Sequence, residues 1–148
     1  MPFKYRLEAL LRLQRSLEHQ EENRLLACVA RVAQLKAHLQ FWEHARFARK
    51  QRTVEELQEG ARGIVLQLAA EWDAGARRKQ AEIRKQIEAA EQLRLQQLQV
   101  YREARQKREV LDDLRQRQQT THDQEEFRRL QRALDESFLI QTFHKTNS

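Results

Sequence analysis

Two glycines three residues apart, Gly60 and Gly63, interrupt a chain of 148 residues that otherwise favours helix almost throughout. Glycine leaves helical geometry without a steric penalty, so Gly60-Ala61-Arg62-Gly63 marks the place where the chain reverses. Beyond that tetrad there are only one further glycine, Gly75, and one proline, Pro2. The rest is rich in Gln, Glu, Arg, Ala and Leu, which are strong helix formers, and 34% of residues are charged. Strand-favouring residues are scattered and show no period-two alternation. These features predict an all-α fold of two long helices, forming an antiparallel coiled-coil hairpin in a single domain over 1–148. Helix one is expected over about 3–59, the bend at about 60–63 and helix two over about 64–143.

Pro2 suits a helix start, where its missing N–H has no partner in any case. Phe3, Leu7, Leu10, Leu11, Leu13 and Leu17 then form one broad apolar stripe. After a polar interval, Leu25, Cys28, Val32, Leu35, Leu39 and Trp42 follow in threes and fours, the spacing of a coiled-coil seam. The step from Leu17 to Leu25 is eight residues, which predicts a local break in heptad register. Past Trp42 the seam meets Arg46 and Arg49, while Phe47, Val54 and Leu57 lie off it, so the coil is expected to loosen towards the bend.

In the second helix a seam runs through Ile83, Ala90, Leu93, Val100, Ala104, Leu111 and Leu114, with Gln86, Gln97 and Lys107 between them. The run 64–70 is apolar on most sides, and Gly75 offers a second weak point, so the tip is expected to extend into the second arm. A reversal near residue 62 sets Leu35 opposite about Ala89 and Leu7 opposite about Arg117. The second helix must then overhang. From about Thr120 onward, Phe127, Leu130, Leu134, Phe138, Leu139, Ile140 and Phe143 have no neighbouring helix, and an apolar set of that length points to an interaction surface. The end from His144 to Ser148 is expected to fray.

The formal charge of +6 suits an anionic partner, yet acidic residues are interleaved with the basic ones, as on a solvated coiled-coil exterior. The densest basic clusters are Arg46, Arg49, Lys50 and Arg52, and then Arg77-Arg78-Lys79. Neither belongs to a continuous basic helix with base-reading residues, so nucleic acid is not an expected partner; a basic coiled-coil nucleic-acid binder stands as the lesser alternative. No apolar run reaches membrane-spanning length, and Met1 to Arg6 lead into a charged amphipathic pattern, which places the expected location in the cytoplasm. Cys28 is the only cysteine; it allows no intrachain disulfide and suits a helix seam.

Chemistry finds little footing. His19, His38, His44, His122 and His144 lack the spacing of three or four that puts metal ligands on one helix face. Asp112-Asp113 and Glu125-Glu126 are adjacent pairs whose members diverge on a helix. With no phosphate-cradling loop and no nucleophile elbow, neither an enzyme nor a cofactor is expected. Phe41 and Trp42 are about 100° apart around a helix, so a narrow seam cannot hold both. Either the tip residues 64–72 fold back over Phe41, or a partner docks there.

The two ends of the chain carry a further signal. Phe3-Lys4-Tyr5-Arg6-Leu7-Glu8-Ala9-Leu10-Leu11-Arg12-Leu13 resembles the N-terminal signature of the flagellar FliJ family. Arg128-Arg129-Leu130-Gln131-Arg132-Ala133-Leu134-Asp135-Glu136 resembles that family's C-terminal basic segment. The resemblance implies a component of the bacterial flagellar type III export apparatus, peripherally associated with the inner membrane. Such a stalk-like coiled coil binds the hexameric export ATPase and the cytoplasmic domain of the export gate, and escorts export chaperones. It further implies an ATPase-facing end made of Phe3, Arg6, Leu7, Leu10 and Leu11 with Leu134, Asp135 and Glu136. Towards the bend, Phe41, Trp42 and Trp72 are the candidates for the gate, although Ala45 and Arg46 stand where the family pattern has aromatics. The stalk protein of a virulence type III secretion system is the alternative within the same class.

Overall fold

The computed structural model describes residues 2–60 and 62–146. Two helices, α1 (Glu8–Gln58) and α2 (Gly63–Thr146), pack against each other as an all-α hairpin, and no strand occurs among the described residues. The chain divides into two compact units, one of Met1–Glu18 with Glu103–Ser148 and the other of His19–Arg102.

The reversal lies where the glycines are. Gly60 has φ +92°, the left-handed conformation that ends helices, and its N–H donates to the Leu57 carbonyl at 3.2 Å. Ala61, within the expected bend, lies outside the described residues. Gly63 opens α2, and the Val65 N–H donates to the Arg62 carbonyl at 3.0 Å. The tip does not extend further. The run 64–70 is already helical, with Ile64, Leu66 and Leu68 exposed, and α2 passes through Gly75 unbroken. One interior glycine costs a helix only about 1 kcal/mol, and the buried Ala76, Gln80 and Ile83 just beyond it hold α2 in place.

The start of α1 differs from the expectation. Helix begins at Glu8, not after Pro2. The preceding segment instead buries the Tyr5 ring, whose hydroxyl donates to the Leu111 carbonyl at 3.1 Å, and sets Phe3 against His122 with ring centroids 5.6 Å apart. The Glu8 N–H donates to the Tyr5 carbonyl at 3.1 Å, so this clamp also caps the helix. At the other end α2 runs to Thr146, taking in His144; Asn147 and Ser148 lie outside the described residues.

Unit His19–Arg102 centres on Val32, Leu35 and Ala90, with Ile87 packed against them. Leu35 therefore faces Ala90, one residue from the position expected. In the unit of the two termini, the fully buried Leu11 and the buried Tyr5 form the core.

The seams are more polar than the sequence reading supposed. On α1 the shielded positions continue in threes and fours from Leu11 through Gln14, Glu18 and Glu21 to Leu25, so the predicted break in register is absent. Leu13 and Leu17, which suggested it, are 53% and 37% exposed. On α2, Ile83, Ala90, Gln97, Ala104 and Leu111 occupy the seam as anticipated, but the positions between them fall one residue later, at Ile87, Arg94, Tyr101 and Arg108. Leu93, Val100 and Leu114 are turned outward. One shifted position has its partner across the pair, Arg108, which donates to Glu18 from Nε at 2.6 Å and from Nη2 at 3.2 Å; at the retained position Gln97 donates to the Glu21 carboxylate at 2.6 Å. A satisfied polar seam position competes well with a leucine.

Candidate interaction surfaces

In unit His19–Arg102 the three aromatics Phe41, Trp42 and Trp72 meet. Phe41 stands edge-on to Trp42 at 6.0 Å, and Trp42 lies 6.4 Å from Trp72. Trp42 donates from Nε1 to His38 Nε2 at 3.2 Å, and the Arg49 guanidinium sits over the Trp72 ring at 5.7 Å. Phe41 remains 63% exposed, so residues 64–72 do not fold over it. Beside Trp72 opens a largely apolar groove of about 400 Å³, with Val54, Leu57, Leu66 and Ala70 among its walls and Arg49 and Lys50 at its rim.

The same unit holds a half-buried polar layer, closed beneath by the buried Gln80, that was not anticipated. Asp73 accepts from Arg46 and forms an ion pair with Arg77 at 3.0 Å, and Arg46 also donates to Gln80, which is 1% exposed. The Asp73 carboxyl is held below the ordinary aspartate range chiefly by the hydrogen bond from Arg46, which outweighs the opposing effect of burial, with the charges of Arg46, Arg77 and Lys50 adding to it. The Arg46 guanidinium is correspondingly raised by Asp73. Arg46 and Arg77 are thus engaged in the fold, and Arg52 pairs with Glu56 at 3.4 Å, which leaves the basic clusters less free for phosphate than their sequence implied. A signal existed in the sequence: Asp73 and Gln80 stand seven residues apart on one helix face, opposite the arginine that already fell in the seam.

In the unit of the termini, the residues assigned to an ATPase-facing end do not gather into one patch. Leu11 is a core residue with no exposed surface. Phe3 and Leu7 are half-buried, Arg6 is exposed, and Leu10, 41% exposed, lines an apolar groove of about 480 Å³ with Val110 and Leu111. Val110 was not anticipated; with the α2 seam one residue later than expected, it moves to the groove wall. Leu134, Asp135 and Glu136 are exposed on α2, and Leu134 lies twelve residues past His122, about 18 Å along the helix.

Next to that groove runs a chain of ions. Arg108 bridges Glu18 and Asp112, Arg15 reaches Asp112 at 2.9 Å, and Arg115 reaches Glu8 at 3.0 Å. Hydrogen bonds from Arg108 and Arg15 hold the Asp112 carboxyl low, and those to Glu18 and Asp112 raise Arg108.

From Phe127 to Thr146 every residue is exposed, including Leu130, Leu134, Phe138, Leu139, Ile140 and Phe143. This is the overhang that the hairpin arithmetic required, and it begins after the Phe3–His122 contact. Among the described residues, no helix is long and apolar enough to cross a membrane, and no group of three or more His, Cys, Asp or Glu is placed to hold a metal ion. No protein-family model, curated protein or solved structure gives a match to this chain.

Proposed function

We propose that this chain is a stalk-like partner protein of the bacterial flagellar type III export apparatus, binding the hexameric export ATPase through its C-terminal overhang. The observation that supports this reading is the bare end of α2, some twenty residues of helix carrying large apolar side chains with no helix of the same chain beside them. The resemblance of both ends to the FliJ family supplies the identity of the partner. The aromatic cluster of Phe41, Trp42 and Trp72 is the surface offered to the export gate, with exposed Phe41 as its anchor. Export chaperones are the third class of partner. The protein catalyses nothing itself; it biases ATPase subunits by touching some differently from others.

The test is capture of the cognate export ATPase by the full chain and by a variant carrying L134A, D135A and E136A together. Because all three residues are exposed, the variant should keep its helicity while capture falls at least tenfold, the loss of an interface hot spot of about 1.4 kcal/mol or more. Undiminished capture would remove the ATPase from this end of the molecule. F41A should weaken capture of the gate's cytoplasmic domain and leave ATPase capture intact.

A further inference from the structure

The overhang has an internal symmetry independent of the export reading. Phe127, Leu130, Leu134 and Phe138 lie within about 80° of arc on α2, forming one narrow stripe. Read in either direction the stripe has the same order: aromatic, leucine, leucine, aromatic. Leu139, Ile140 and Phe143 fall on the opposite face. Beside the stripe, on one flank, stand Arg128 and Asp135, seven residues apart and therefore at the same heptad position. Neither is within ion-pair distance of an opposite charge among the described residues, whereas Arg129 lies 3.5 Å from Glu126.

We infer that the exposed segment 127–138 pairs antiparallel with the same segment of a second copy of this chain. Laid antiparallel, Phe127 of each copy meets Phe138 of the other, and Leu130 meets Leu134. The same alignment brings Arg128 to within about 3 Å, along the axis, of the level of Asp135, a gap their side chains span, and the two-fold axis makes that ion pair twice. Equivalent heptad positions flanking the seam face one another when two helices run antiparallel, so the charges select this orientation. A parallel pair would instead put each of these charges level with its own copy and forgo both ion pairs. The interface is short, so association is expected to be weak and reversible. It covers the stripe that holds Leu134, and pairing would therefore mask part of the surface proposed for the ATPase. The inference does not depend on that proposal, because the second copy requires no other protein.

Sedimentation equilibrium of the full chain alone, over a wide concentration range, tests it. The expected result is a shift from one copy to two as concentration rises. R128D or D135R alone turns two attractions into two repulsions and should raise the dissociation constant about tenfold. An equimolar mixture of R128D and D135R chains should form a mixed dimer, and the double variant R128D/D135R should recover self-association. These exposed positions carry no packing load, so the variants should fold. A wild-type chain that stays single at all concentrations overturns the inference, as does a dimer indifferent to both single reversals or a mixture that fails to recover.

Discussion

Arg46 donates to Asp73 from Nε at 2.8 Å and from Nη2 at 3.3 Å, and its remaining nitrogen, Nη1, donates to Gln80 at 2.7 Å. Every nitrogen of the guanidinium is thereby matched within one layer of the helix pair. Such a layer fixes register, because sliding either helix strands the charge. D73A should lower the melting temperature, by leaving Arg46 without its carboxylate. Replacing the layer with apolar residues (R46M, D73A and Q80L together) should restore or raise the melting temperature while broadening the range of registers. Thermal melts followed by circular dichroism, with disulfide trapping of cysteine pairs placed at alternative registers, distinguish the two outcomes.

Acid should loosen the hairpin at a defined pH. Asp73, Glu91 and Asp112 are each held below their ordinary carboxyl range by arginine or lysine partners. A lowered folded-state pKa gives stability that is fully present above the unfolded value and lost as pH falls through the folded one. Melting temperature should therefore be level from neutral pH down to about 4.5 and fall below about 4. A melting temperature that stays level well below pH 4 would show that these ion pairs do not hold the hairpin together.

Leu11 has no exposed surface, and Tyr5 is 7% exposed with its hydroxyl on the Leu111 carbonyl. L11A should cost about 3 kcal/mol as a cavity, and Y5F about 1 kcal/mol as a lost hydrogen bond. Denaturant titration measures both. If Y5F were the more damaging of the two, the hydroxyl would have a larger role than closing the clamp.

Gly75 and Gly60 are predicted to respond oppositely to alanine. An added Cβ at Gly75 meets nothing within 4 Å and the residue lies inside α2, so G75A should stabilise by about 1 kcal/mol. At Gly60 there is equal space, but φ is +92°, and alanine is strained there whatever the room. G60A should therefore destabilise. Opposite shifts in melting temperature would confirm that Gly60, and not Gly75, breaks the helix.

The hairpin was legible because a two-glycine interruption in a helix-forming chain has few other outcomes, and counting outward from it comes within one residue of the opposition of Leu35 and Ala90. The phase of the α2 seam was not. Choosing between steps of three and four by apolarity picks Leu93 and Val100, whereas the fold takes Arg94 and Tyr101, next to positions that carry cross-pair hydrogen bonds. Those bonds join residues far apart in the chain, 76 positions for Glu21 and Gln97 and 90 for Glu18 and Arg108, and leave no local trace. The Tyr5 clamp was hidden for the same reason: a phenol seeking a carbonyl on the other arm looks, in sequence, like one more residue of an amphipathic helix. Phe41, Trp42 and Trp72 stood out in the sequence only as aromatics towards the bend; that they meet depends on α2 starting as early as Gly63.

The continuity of α2 past the Phe3–His122 contact has a consequence for how order reaches the C-terminus. A helix of twenty residues standing alone in water is marginal, since its first turn must form without help. Here that costly first turn lies in the paired region, and residues 127–146 merely extend a helix already nucleated. Helicity at the far end is therefore inherited from the pairing beneath it. Loosening Tyr5 or Phe3 would move the last paired turn back and lengthen the unsupported stretch, which then frays from its free end, so the N-terminal clamp bears on how much of the distant apolar stripe is presented as a single continuous face.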